Sequence, residues 1–255
     1  MAVMDRLRHR SGQPRPEAMT LVEHIAELRR RIIVCVVAFS VFATVAFVFY
    51  AEILRFLESP YCRIAHPCDL YVTGPLDGLT IRMKIAGYVG LLLTSPVALW
   101  ELWRFVTPGL RAGERRYAIA FTVSAVSLFV LGAVLAFYTF PHALGWLQSI
   151  GGPTLREIYN PNSYLGLILA LMAVFGVTFE FPVVLVALEL AGVVSPGTLA
   201  SWRRWAFFII VVVAAIITPS GDPFSMTALA IPLYVFYEVS IVIGKVLKRP
   251  AREVA

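Results

Sequence analysis

Residues 165–188 read LGLILALMAVFGVTFEFPVVLVAL, a greasy run interrupted by one acid, Glu180, and one proline, Pro182. Hydrocarbon about 30 Å thick takes roughly 20 apolar residues as a helix. A run of this length therefore reads as a membrane span. Comparable stretches lie at 32–51, 85–105, 117–139, 205–217 and 228–243. Six spans put both termini on one side. The last two are short, about 20 and 24 Å at 1.5 Å per residue, so they thin the bilayer locally or lean on neighbours that cover their ends. The pattern predicts an all-α polytopic membrane protein with six transmembrane helices.

Composition agrees. Of 255 residues 59% are hydrophobic and 15% charged, and mean hydropathy is +0.78, whereas a soluble domain carries about a quarter charged residues. The net charge of +6 flanks the apolar runs instead of gathering on one soluble domain, which argues against nucleic acid as a partner. Of the 22 Lys and Arg residues, 17 fall in segments 1–31, 104–116, 192–204 and 245–255. That bias predicts cytoplasmic N- and C-termini. Arg29-Arg30-Arg31 before an apolar stretch imitates a secretory signal, but the stretch is span-length and further spans follow it, so it reads as a first transmembrane helix.

Three regions follow. Residues 1–19, with four arginines and two prolines, read as a disordered basic tail drawn to anionic lipid; residues 20–245 form the membrane domain and 246–255 a second cytoplasmic tail. Thr20-Leu-Val-Glu23 has the form of a capping box. Leu21, Ile25, Leu28 and Ile32 then share one stripe, predicting an amphipathic helix that runs along the cytoplasmic surface into the first span. Outer loops are expected at 52–78, 140–162 and 219–226. The first contains Cys62 and Cys68, whose spacing and oxidising side permit a disulfide that sequence alone does not establish. Cys35 reads as a residue of the helix core. There is no internal repeat of the kind common in secondary transporters.

Enzyme chemistry has no visible site: the chain lacks GxxxxGK[ST] and HExxH, and its four histidines are scattered. No cofactor or metal is expected. Carboxylates remain. An acid near a span centre costs at least about 2.5 kcal/mol on the lenient insertion scale, so Glu180 faces a cavity, a partner or a neighbouring protein. Pro182 also deprives the Thr178 carbonyl of its donor. Two readings stand for Glu180: a partner-seeking notch, or a protonated acid bonded to a neighbouring helix. Glu101 and Glu238 lie in or near spans, and Glu189 sits at an inner end where it can reach headgroup water. With Glu180, Glu101 and Glu238 could form a relay, giving the alternative function of a proton-coupled small-solute transporter; a structural scaffold is a third option. Glu27 in HIAELRRR and Glu114 in TPGLRAGERR occupy arginine clusters. On the residues alone these are solvated faces, Glu27 pairing with Arg30 or Arg31 along its own helix.

Five motifs occur in order: EHIAELRRR (23–31), SPVALWELWRFVTPGL (95–110) followed by ERR (114–116), FGVTFEFPV (175–183), TPSGDPFS (218–225) and LAIPLYVFYE (229–238). Through them the chain resembles TatC, the multi-spanning receptor of the twin-arginine protein translocase, over residues 20–245. The resemblance implies that Glu27 and Glu114 hold the two arginines of a signal peptide, a task suited to carboxylates because guanidinium forks pair with them bidentately. It implies that Phe105 and Pro108 shape that site, and that Arg29, Arg115 and Arg116 orient it or contact phospholipid. Glu180 would line a concave face used by the signal peptide and by single-span partners. Pro60 and Asp222 match outer-side positions of structural or assembly character. Glu101 stands where related proteins often carry glutamine, Glu189 replaces a non-acidic residue, and Met226 sits where glutamine is frequent. The last outer loop is one residue longer before Asp222. The expectation is a non-enzymatic receptor in a bacterial cell membrane that starts proton-gradient-driven export of folded proteins. Its implied partners are twin-arginine signal peptides, TatA/TatB-type single-span subunits, other TatC copies and membrane lipid.

Overall fold

The computed structural model describes residues 21–62, 70–106, 118–152 and 159–248, all of them helix or short connections. The helices are α1 (Leu21–Val48), α2 (Tyr50–Cys62), α3 (Asp77–Val106), α4 (Ala118–Gly151), α5 (Pro161–Thr178), α6 (Phe181–Leu190), α7 (Pro196–Ser201), α8 (Arg203–Ile217) and α9 (Pro223–Lys248).

Five stretches are long and apolar enough to cross a membrane: Ile25–Val48, Asp77–Phe105, Ile119–Gly151, Pro161–Leu190 and Pro223–Val246. The remaining expected span, α8, has 15 residues, about 22 Å of helix, and falls short of the hydrocarbon thickness. The expectation that the last span is also short is corrected. α9 has 26 residues, about 39 Å, because Asp222 starts it upstream of the apolar run and Gly244 to Lys248 extend it downstream. Only α8 is short.

Other helices also outrun their apolar runs, for a physical reason in each case. α3 begins at Asp77 instead of residue 85 because its two early cations are satisfied in place. The Arg82 guanidinium lies over the Tyr50 and Phe47 rings, 4.8 and 5.5 Å from their centroids, and Lys84 donates to the Asn162 carbonyl at 2.8 Å. α4 continues through Pro141 to Gly151, replacing the first half of an expected loop, since Ala143 and Leu144 just past the proline are buried. Residues 52–62, expected as loop, are helical within α2, which buries Leu57, Pro60 and Tyr61. The amphipathic segment before the first span runs into it as expected: α1 is uninterrupted from Leu21 to Val48. The Thr20–Glu23 capping box lies outside the described side chains.

Small residues set the helix spacing, as expected where lipid gives no hydrophobic drive for helices to associate. A Cβ on Gly90 of α3 would come 2.9 Å from Ala43 Cα of α1, and one on Gly132 of α4 would strike the Phe175 carbonyl of α5. Around these contacts Phe140, Leu165, Ile168, Leu169, Phe175 and Leu229 form the core, each fully buried. The connections before α3 and α5 are tied together: Tyr71 N–H donates to the Tyr159 carbonyl at 3.1 Å, and Asn160 Nδ2 donates to Thr73 Oγ1 at 2.7 Å. Asp77 closes that knot by accepting from the Gly74 and Thr73 amides.

Candidate functional site

Where α1 begins and α3 ends, three charged side chains from the two helices converge. Arg31 lies one turn after Glu27 on α1, so the pair meets by helical geometry, and Arg31 Nη2 donates to Glu27 Oε1. The other branch, Nη1, donates to Glu101 Oε2 at 2.9 Å and to the Glu101 carbonyl at 3.3 Å. Nη2 also reaches the Arg104 carbonyl at 3.4 Å. These side chains are sheltered, Arg31 being 13% exposed, Glu101 16% and Glu27 26%, so the cluster is screened less than a surface pair. Beside it, Leu28, Ile32, Phe39, Leu102 and Phe105 line an apolar groove of about 380 Å³ between α1 and α3. Trp103 stacks on Phe121 with ring centroids 5.0 Å apart, fixing the end of α3 against α4.

Of the residues singled out from sequence, Glu27, Glu101 and Phe105 are brought together here, and Arg29 is exposed on the same end of α1. Glu114, Pro108 and Arg115 lie outside the described residues, as does Arg116. Glu27 pairs with Arg31 as the spacing predicts. For Arg31 the sequence signals only its place in LRRR one turn from Glu27, since its second carboxylate is 70 positions away in the chain.

Glu180 sits at the junction of α5 and α6. Phe179 and Glu180 keep right-handed helical dihedrals, with Glu180 at φ −71 and ψ −17, so the helix kinks without unravelling. Glu180 N–H bonds back three residues to the Val177 carbonyl at 3.1 Å, while the Glu180 carbonyl accepts from both Val183 and Val184. The side chain is half-buried, and its Oε1 is buried with no hydrogen-bond partner. That removes the bonded-to-a-neighbour reading for this oxygen. From Pro182 onward an apolar groove of about 330 Å³ opens between α4, α6 and α9, lined by Phe121, Leu128, Val183 and Phe236 among others.

The other acids are placed differently. Glu238 is paired with Arg203 of α8, Nε to Oε1 at 2.8 Å, and accepts from the Tyr234 hydroxyl at 3.3 Å. Glu189 is 0% exposed and its carboxylate packs on Gly244 of α9, where no Cβ would fit. The expectation that it reaches headgroup water is overturned, because α9 runs long enough to cover it. Asp222 is likewise 0% exposed and caps α9: Oδ1 accepts from Ser225 N–H at 2.7 Å, and Oδ2 from the Ser220 hydroxyl. Pro60 is buried within α2. Cys62 is disulfide-bonded and Cys35 is a free thiol; Cys68, the expected partner of Cys62, lies outside the described residues. On α2, burial pushes the Glu58 carboxyl above its ordinary value. Among the described residues no group of three or more His, Cys, Asp or Glu side chains could hold a metal ion.

Comparison with known proteins gives a consistent picture. The family model described as Sec-independent protein translocase protein (TatC) matches residues 23–232. The TatC protein of Frankia casuarinae is 41% identical over 89% of this chain, which spans 65% of that relative's length. That of Aquifex aeolicus is 36% identical over 92% of this chain and 99% of its own. A crystal structure of the twin-arginine translocase receptor TatC superposes with a TM-score of 0.73 at 36% identity, covering 88% of this chain and 99% of that one. With several apolar spans and bacterial relatives, the protein is a multi-pass protein of the cell membrane. The chain belongs to the TatC family of Sec-independent protein translocase proteins.

Proposed function

We propose that the protein is the receptor that captures twin-arginine signal peptides and starts proton-gradient-driven export of folded cargo. Glu27 and Glu114 grip the two arginines, Phe105 and Pro108 shape the pocket, and Arg29 and Arg115 orient it or contact phospholipid. Glu180 receives a helix arriving from outside the bundle, either the signal peptide or a TatA/TatB-type single-span subunit, with further TatC copies completing the assembly. Both termini are cytoplasmic, and α8 serves as a short sixth span. No catalysis or cofactor is involved.

The observation that carries this reading is the position of Glu27: a sheltered carboxylate paired with Arg31, which lines an apolar groove together with Glu101 and Phe105. An arginine pair followed by an apolar segment fits such a site in charge and polarity. The transporter alternative loses ground because two of its three relay acids, Glu101 and Glu238, are engaged by Arg31 and Arg203.

The test is photocrosslinking of a signal peptide to the purified protein, comparing Arg-Arg with Lys-Lys and wild type with Glu27→Gln. Labelling that prefers Arg-Arg and depends on Glu27 supports the receptor. Equal labelling of both peptides rules it out.

A further inference from the structure

We propose that Arg31 occupies the seat on Glu27 that an arriving guanidinium takes, and that Glu101 is the second seat onto which Arg31 withdraws. This rests on the receptor reading above and specifies how the site is kept occupied before a peptide arrives.

The geometry shows one guanidinium divided between carboxylates on two helices, Nη2 on Glu27 and Nη1 on Glu101 at 2.9 Å. Arg31 keeps other acceptors when it leaves Glu27, because the Glu101 and Arg104 carbonyls already lie within its reach at 3.3 and 3.4 Å. Withdrawal needs only a turn of the side chain, since both acceptor sets are already contacted.

Glu101 is what makes the exchange feasible. With a carboxylate at 101, Arg31 retains an ionic partner throughout and forms the fork-to-fork pair that guanidinium and carboxylate favour. With a neutral amide there, the guest arginine would have to break the Glu27–Arg31 pair with no second carboxylate to receive the displaced guanidinium. Glu101 is thus a specificity-determining residue of this chain, acting through Arg31 and not by touching the guest.

The experiment is a titration of the full-length protein in lipid nanodiscs with fluorescent Arg-Arg and Lys-Lys signal peptides. Glu101→Gln should weaken Arg-Arg binding by about tenfold or more, the worth of one charge-assisted hydrogen bond. Adding Arg31→Gln to that variant should recover most of the loss, because the competing guanidinium is gone. Misfolding caused by the first change would not be repaired by the second, so the recovery separates the two causes. Wild-type affinity in Glu101→Gln, or a double variant as weak as the single one, overturns the exchange. Glu27→Gln is the control for the receptor reading: binding lost there, with no rescue in the double variant, discards the exchange and keeps the receptor. Binding unchanged in Glu27→Gln discards both.

Discussion

Replacing Glu180 by leucine should make the isolated protein more stable and the working translocase worse. Glu180 is half-buried at the α5–α6 kink, and its Oε1 is buried without a hydrogen-bond partner. A buried polar atom left unsatisfied costs about 1–3 kcal/mol. Part of the residue is reached by solvent or lipid, so the lower end applies, about 1 kcal/mol. Leucine is close in size and suits the Pro182, Val183 and Phe236 groove beside it. For a chain of this size that gain corresponds to a rise of about 2–4 °C in melting temperature, measurable by thermal unfolding in detergent with a scattering or intrinsic-fluorescence readout. Export of a folded twin-arginine reporter by cells whose only copy is Glu180→Leu should fall. A stabilised variant that fails in export means the acid is kept for a partner. A variant that melts lower refutes the reasoning, because the carboxyl would then be a structural bond of the bundle; unimpaired export would refute the partner role.

Three further outcomes are expected. Asp222→Ala removes the cap of α9 and strands the Ser225 amide, so unfolding should become easier by about 1–3 kcal/mol, while Asp222→Asn, which can still cap, loses less; chemical denaturation compares them. Lengthening α8 by one turn of leucines should impair export and leave signal-peptide binding intact if its 15 residues thin the bilayer, and unchanged export would dismiss that role. Glu58 has a folded-state pKa raised by burial above 4.5, so its contribution is present below that value and is lost as pH rises through the folded pKa. Glu58→Gln should therefore flatten the decline in melting temperature on the alkaline side of pH 4.5, and an identical pH profile in both proteins would contradict the assignment.

Particular residues show where sequence reasoning succeeded. Apolar length located the bundle, since a run such as 165–188 has no other stable home than hydrocarbon. The Glu27–Arg31 pair followed from one helical turn of spacing. The errors have one cause. Helix ends do not fall where apolar residues stop: Arg82 and Lys84 extend α3 because distant groups satisfy them, Pro141 is carried within α4, and Asp222 begins α9 as a local cap. The same holds for Glu189: whether it meets water depends on how far α9 runs past it.

The order of apolar runs, the basic flanks and the acids within them are properties of the linear chain, and they determined that this is a helical membrane protein with few places for charge. Tertiary structure alone decided which charges meet. Arg31 finds Glu101 70 positions away, and Arg203 finds Glu238 at a separation of 35, because Gly90 lets α3 approach Ala43 closely and α8 folds back on α9. The physical reason is range: helix formation is settled by hydrogen bonds four residues apart, whereas ion pairing between helices depends on packing distances that no local stretch encodes.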